Sequence, residues 1–182
     1  VGSFRRTLEV WVGSTIRADV FVTSESWRRA RETSTLDDGI VAGLTRLPGV
    51  RAVDRLRQFA AWSGERRIAL IGRDAGIPGG EGRFPLVSGD AIDVVRRMTR
   101  EGAVVIGEPL ARKAGLGPGD FLRLATPGGE REFPIAGVYY DYSDENGSAE
   151  MDLSTMESAF GPGPMTNVDL YQNPPPYLSY DA

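Results

Sequence analysis

With 182 residues, 41% of them hydrophobic and 25% charged, the chain has the make-up of one ordinary globular domain or of two small subdomains sharing a core, and neither disorder nor coiled coil fits it. Its 21 basic and 25 acidic side chains leave a net charge of −4, so no nucleic-acid partner is expected and adsorption to an anionic membrane surface is disfavoured. Cysteine and histidine are both absent, which excludes disulfides, thiolate metal sites and the Ser-His-Asp and Cys-His arrangements.

In the first segment Phe4, Leu8, Trp11, Val12 and Ile16 recur at helical spacing, opposite Arg5, Arg6 and Glu9. Ala18–Ser24 alternates polar and apolar residues and predicts a strand, followed by a polar loop over Glu25–Thr35. Thr35 is placed to cap a helix with Asp37 and Asp38 in its first turn and with Ile40, Val41, Leu44 and Leu47 as its buried stripe. Val50–Trp62 and Arg66–Arg73 read as strands joined at Ser63-Gly64, and Gly72–Pro85 as a loop. Ser88 starts a helix with Val94, Val95 and Met98 inward, and Gly102 stops it. Ala103–Ile106 is a short buried strand, followed by a brief helix over Leu110–Ala114.

Gly115-Leu-Gly-Pro-Gly-Asp120 predicts a tight loop in which Asp120 accepts from turn amides; it lacks the Lys and the following long helix of a phosphate-binding loop. Phe121–Ala125 and Glu132–Tyr142 form a hairpin around Pro127-Gly128-Gly129, and Asn146-Gly147 signals a second hairpin returning through Ala149–Met151. Ser154–Glu157 has capping-box spacing for a short helix ending at Gly161-Pro162, Asn167–Tyr171 is a last strand, and the tail from Asn173 is proline-rich. The segregated mixture of elements is α+β.

Few side chains invite a chemical role. The acidic group Asp141, Asp144, Glu145, Glu150 and Asp152 lacks the spacing and flanking helices of an EF-hand. Carboxylate pairs such as Asp37/Asp38 and Asp141/Asp144 have the chemistry for acid–base work, and helix-start electrostatics already account for Asp37 and Asp38. Lys113 is the single lysine, and the arginine pairs Arg28/Arg29, Arg66/Arg67 and Arg96/Arg97 have acidic neighbours to offset them. No catalytic residue, cofactor site or metal site is assigned. In Tyr139-Tyr-Asp-Tyr142, alternation sets Tyr140 and Tyr142 on one face and Tyr139 and Asp141 on the other; Tyr140 and Tyr142 are the candidate contact patch for a protein partner.

No apolar run reaches the roughly 20 residues that cross a bilayer, and no basic n-region with an apolar h-region is present. Beginning at Val1 and opening directly on a helical pattern, the sequence reads as a piece of a longer chain.

Three stretches together resemble one family. Ser3–Trp11 leading to Arg17–Val22, the Leu47-Pro-Gly-Val-Arg-Ala-Val53 turn, and the long run from Val104 through Gly119-Asp-Phe-Leu-Arg-Leu124 and Phe133–Tyr142 to Met151–Met156 are similar to the extracytoplasmic core domain of ABC-type permeases of the MacB/FtsX class. The resemblance implies a porter-like α/β subdomain, residues 1–80 with 150–182, carrying an inserted β-rich subdomain, residues 81–149. It further implies a module of the cell membrane's outer or periplasmic side that runs no chemical step. Its partners would be the membrane-spanning part of the same permease, an ABC ATPase subunit, a periplasmic adaptor or lipoprotein, and a second copy in a homodimer of the intact permease. The family's helix after the last strand is missing from the proline-rich tail, so the porter-like half reads as truncated. The alternatives are a small-ligand binding module with a β-barrel half, which predicts an apolar pocket, and a carboxylate-dependent hydrolase.

Overall fold

The computed structural model describes residues 18–23, 35–141 and 146–172. The expected opening helix, most of the Glu25–Thr35 loop, Tyr142, Asp144 and the proline-rich tail lie outside those residues.

The described chain runs β1 (Val20–Thr23), α1 (Asp38–Leu44), β2 (Val50–Ser63), β3 (Arg66–Arg73), a 3-10 turn (Gly80–Arg83), β4 (Leu86–Ser88), α2 (Ala91–Glu101), β5 (Val104–Gly107), α3 (Glu108–Ala114), β6 (Phe121–Thr126), β7 (Gly129–Tyr139), β8 (Ser148–Asp152), α4 (Leu153–Phe160) and β9 (Asn167–Gln172). The strands join one sheet in the order β1-β9-β2-β3-β8-β5-β7-β4, with β6 on β7. The mixed α+β class read from the sequence holds.

Among the described strands, only β3–β8 and β5–β7 are parallel pairs, and the other pairs are antiparallel. β2 is long because it serves two neighbours in turn, pairing with β9 over Val50–Leu56 and with β3 over Leu56–Ser63. The sheet curls until β6 packs back against β2, and its inner face closes on a filled core of Ile68, Leu70, Val104, Ile106, Leu122, Leu124, Phe133, Ile135, Ala149 and Met151, with Leu110 of α3 and Met156 of α4 at its ends. The outer face carries a second core under α2, from Val94, Met98, Val105, Phe84 and Tyr139. At the β1–β9–β2 end, Leu36, Val41 and Leu44 cover Val168 and Leu170.

Two expectations change in the folded chain. The apolar stripe of α1 narrows to Val41 and Leu44: the helix stops before Leu47, Ile40 lies off the face that packs on Val168 and Leu170, and both are about half exposed. The second hairpin does not form: β8 pairs with β3 and β5, and the four-residue β5, buried at every position, lies between β7 and β8. The Asn-Gly signal is local, whereas the neighbour of β8 is decided by which strand buries its backbone best.

The helix caps also move, each time to an aspartate. Asp37, Asp90 and Asp152 cap α1, α2 and α4, where Thr35, Ser88 and Ser154 were expected. A carboxylate accepts from the free amides and also meets the positive helix end. Asp152 does more than cap, since its second oxygen accepts from Ala75 N at 3.1 Å. Replacing Asp152 with alanine is therefore expected to cost about 1–2 kcal/mol in urea unfolding, near the upper end for a cap, against about 1 kcal/mol for Asp37→Ala, whose bonds are exposed.

Candidate functional site

The outer face of the sheet carries a line of buried charge that alternation places there. On β8, Ala149 and Met151 enter the inner core, so Ser148 and Glu150 face outward. On β3, Ile68 and Leu70 point inward and Arg73 outward; on β2 and β9, Asp54 and Asp169 share the outward side and sit directly opposite one another in the register. Asp54, Arg83, Asp141, Ser148, Glu150 and Asp169 are all buried.

Arg83, on the 3-10 turn, organises the segment that covers this face. Its Nε donates to Gly80 O at 3.2 Å, and its Nη2 donates to Asp74 O at 2.9 Å and Ala75 O at 3.1 Å. Its Nη1 pairs with Asp54. The other Asp54 oxygen accepts from Asp74 N at 3.0 Å. A side chain on Gly80 would collide with Ala75 O and the Arg83 guanidinium, so the turn admits only glycine there without a shift. Asp74 receives a bidentate pair from Arg55, both contacts at 2.8 Å.

Arg73 bridges the strands. Its guanidinium lies 3.2 Å from Asp54 and 3.2 Å from Glu150, and packs over the Phe84 ring. Burial opposes its charge, yet Glu150, Asp54 and Asp169 outweigh that and hold Arg73 above its ordinary value. Arg73 Nε is the one buried side-chain polar atom among the described residues that lacks a partner. Glu150 is raised: burial disfavours its ionised form, Asp54 and Asp141 add to this, and Arg73 and Arg83 only partly offset it. Beyond Glu150 the line ends in hydroxyls, with Tyr139 OH bonded to Ser148 Oγ, which donates to Asp141. Burial, then Glu150 and Asp141, push the Tyr139 hydroxyl well above its usual range.

These contacts brace the three consecutive strands β2, β3 and β8 and the overlying loop. Arg83, Arg73 and Asp54 engage one another, and the cluster offers no exposed nucleophile or base. No group of three or more His, Cys, Asp or Glu among the described residues is placed to hold a metal ion.

The sequence did not single out Asp54, Arg73, Arg83 or Asp169. The available signal was a charged residue within a strand among apolar neighbours, as in Ala52-Val-Asp54 and Val168-Asp-Leu170. The acidic group near the Asn-Gly turn disperses: Asp141 binds Ser148, Glu150 pairs with Arg73, and Asp152 caps α4. Asp120 accepts from Gly117 N at 2.9 Å, as the loop chemistry predicts. Tyr139 and Asp141 are buried together, while Tyr140 is half-buried, its amide donating to Pro85 O at 2.9 Å.

The profile of the MacB-like periplasmic core domain matches residues 2–173. The chain belongs to that family. It is an extracytoplasmic domain of the ABC transporter permease class. An uncharacterised ABC transporter permease protein of Mycobacterium tuberculosis is 25% identical over 174 residues, which are 94% of this chain and 20% of that protein. The chain thus spans about a fifth of the length of the curated relative it matches.

Two solved structures share the fold. The extracellular domain of the noncanonic ABC-type transporter YknZ from Gram-positive bacteria aligns with a TM-score of 0.53 at 16% identity, covering 85% of this chain and 81% of that one. The periplasmic region of MacB from Actinobacillus actinomycetemcomitans gives 0.53 at 17%, covering 84% and 73%. No helix among the described residues is long and apolar enough to cross a membrane.

Proposed function

We propose that this MacB-like periplasmic core domain is the outer handle of an ABC permease, carrying motion from its membrane helices to an adaptor, lipoprotein or substrate outside the membrane. The observation that carries it is where the described fold is entered and left. Asp19 N donates to Leu170 O at 2.9 Å and Asp19 Oδ2 accepts from Gln172 N at 2.7 Å, so the two ends stand side by side at one sheet edge. A body held at two adjacent points moves as a unit when those points move, provided that it does not shear internally. The buried ion pairs that cross β2, β3 and β8 resist such shear.

In this role the driving ATP hydrolysis belongs to a separate ATPase subunit, and the membrane-spanning part of the same permease supplies the hinge. A ligand-binding role gains nothing from the curled sheet, whose inner face is filled by side chains. Tyr140, with Tyr142, is the proposed contact patch. In the full-length permease purified from membranes, Tyr140→Ala is expected to lower retention of the outside partner about tenfold, the equivalent of ~1.4 kcal/mol, with ATP hydrolysis by the ATPase subunit retained. Undiminished retention in the variant counts against the patch. A cysteine placed on β4 and labelled with an environment-sensitive dye, in a chain with no native cysteine, is expected to report ATP addition; silence at that position counts against the handle.

A further inference from the structure

We propose that the Asp54–Asp169 pair on the outer face of β2 and β9 is a proton-binding site, and that the proton it holds clamps β9, with β1 beyond it, onto the rest of the sheet.

The geometry sets two buried carboxylates directly across an antiparallel strand pair. Like charges in that relation repel. Both neighbouring arginines, Arg73 on β3 and Arg83 on the 3-10 turn, bond to Asp54. No hydrogen bond or ion pair to the Asp169 carboxylate is found among the described residues, so Arg73 and Arg83, which bond to Asp54, reach it only through space and relieve it only in part. The remaining groups around it give no relief. Tyr171 is on its own strand, Glu150 stands beyond Arg73, and β1 presents Phe21 opposite Asp169. Asp19, next to β1, is engaged with Gln172 N. The cheapest way to remove the repulsion is to keep a proton on Asp169.

Burial, then the Asp54 charge, raise Asp169 from 3.8 to about 6, with Arg73 and Arg83 only partly opposing them. Since the folded state holds the proton more tightly than the unfolded chain, stability is full at low pH. It is lost as pH rises from about 4 to about 6, and stays lower above that. This slope is opposite to that of an ion-paired carboxylate.

Measured on the 182-residue chain, the test compares urea unfolding of wild type and Asp169→Asn from pH 4 to pH 7.5. The folding equilibrium of the wild type, relative to the variant, is expected to fall roughly a hundredfold across that range. Amide exchange in β9 and β1 should quicken with pH in the wild type beyond the chemical rate, and not in Asp169→Asn. The neutral variant keeps the shape and removes the charge, so it is expected to fold and to be the more stable protein at pH 7. A wild-type-to-variant ratio that does not change with pH overturns the proposal. So does an Asp169 carboxyl that titrates near 4 by carbon-detected NMR. The handle role can fail in the intact permease without touching either result.

Discussion

Replacing Asp54 with alanine is expected to destabilise the domain by about 3–5 kcal/mol, the range for removing one partner of a buried ion pair. The side chain is fully buried and joins two guanidinium groups, those of Arg73 and Arg83, which are themselves nearly or largely buried. Its removal strips a counter-charge from both and also leaves Asp74 N without its acceptor. The cost arises from the charges left behind more than from the net worth of the pair, since burying the ions in the first place was expensive.

A second substitution separates those two explanations. The double variant Asp54→Leu/Arg83→Met keeps volume and removes both charges, and it is expected to recover a substantial part of the loss, although the carbonyls of Gly80, Asp74 and Ala75 lose a donor. Urea titrations of the wild type, both single variants and the double variant form a cycle that yields the coupling directly. A loss below about 1 kcal/mol for Asp54→Ala, the figure typical of exposed pairs, contradicts the buried brace.

Gly147→Ala is the second large effect, expected at about 2–5 kcal/mol. The glycine sits at φ 93, and a Cβ there would lie 2.6 Å from Leu110 Cβ, 2.8 Å from Leu110 N and 2.9 Å from Leu110 Cα. Left-handed backbone costs a residue with a side chain about 1–2 kcal/mol, and overpacking against atoms that cannot swing away adds about 1–3 kcal/mol. Gly49 is the control. Its φ is 82 but a Cβ there meets nothing within 4 Å, so Gly49→Ala is expected to carry only the conformational part, about 1–2 kcal/mol. Thermal melts of both variants decide the matter: equal losses mean that α3 does not press on the turn before β8.

Both substitutions fall where folding brings together distant parts of the chain, and there the sequence was least legible. Local periodicity was enough to place the β2–β3 turn, the inward residues Val94 and Met98 of α2, the stop at Gly102 and the loop chemistry of Asp120. Those features depend on neighbours a few residues apart, whose spacing is visible in one dimension. The family resemblance was legible as well, because it rests on the order of short motifs along the chain.

The pairing of β8 was not legible. An Asn-Gly turn favours a hairpin locally, but β5 fills the place beside β7 and displaces β8 to its other edge. The buried charges stayed hidden for a related reason. Asp54 and Asp169 are 115 positions apart, and Arg83 lies 29 residues from its partner. Each looks like a surface residue until the register places it under the 3-10 turn. Of the contact candidates, Tyr140 is half-buried at the end of β7, and alternation alone predicted its separation from Tyr139 and Asp141.

The amino-acid sequence by itself determined the α+β class, the family, and the absence of cysteine and histidine chemistry, since these follow from composition, local period and motif order. Tertiary structure alone decided which strands are neighbours, which carboxylates lose their water and which guanidinium groups answer them. Desolvation and charge pairing act through space, and no local pattern encodes a distance between residues that only the folded sheet brings into contact.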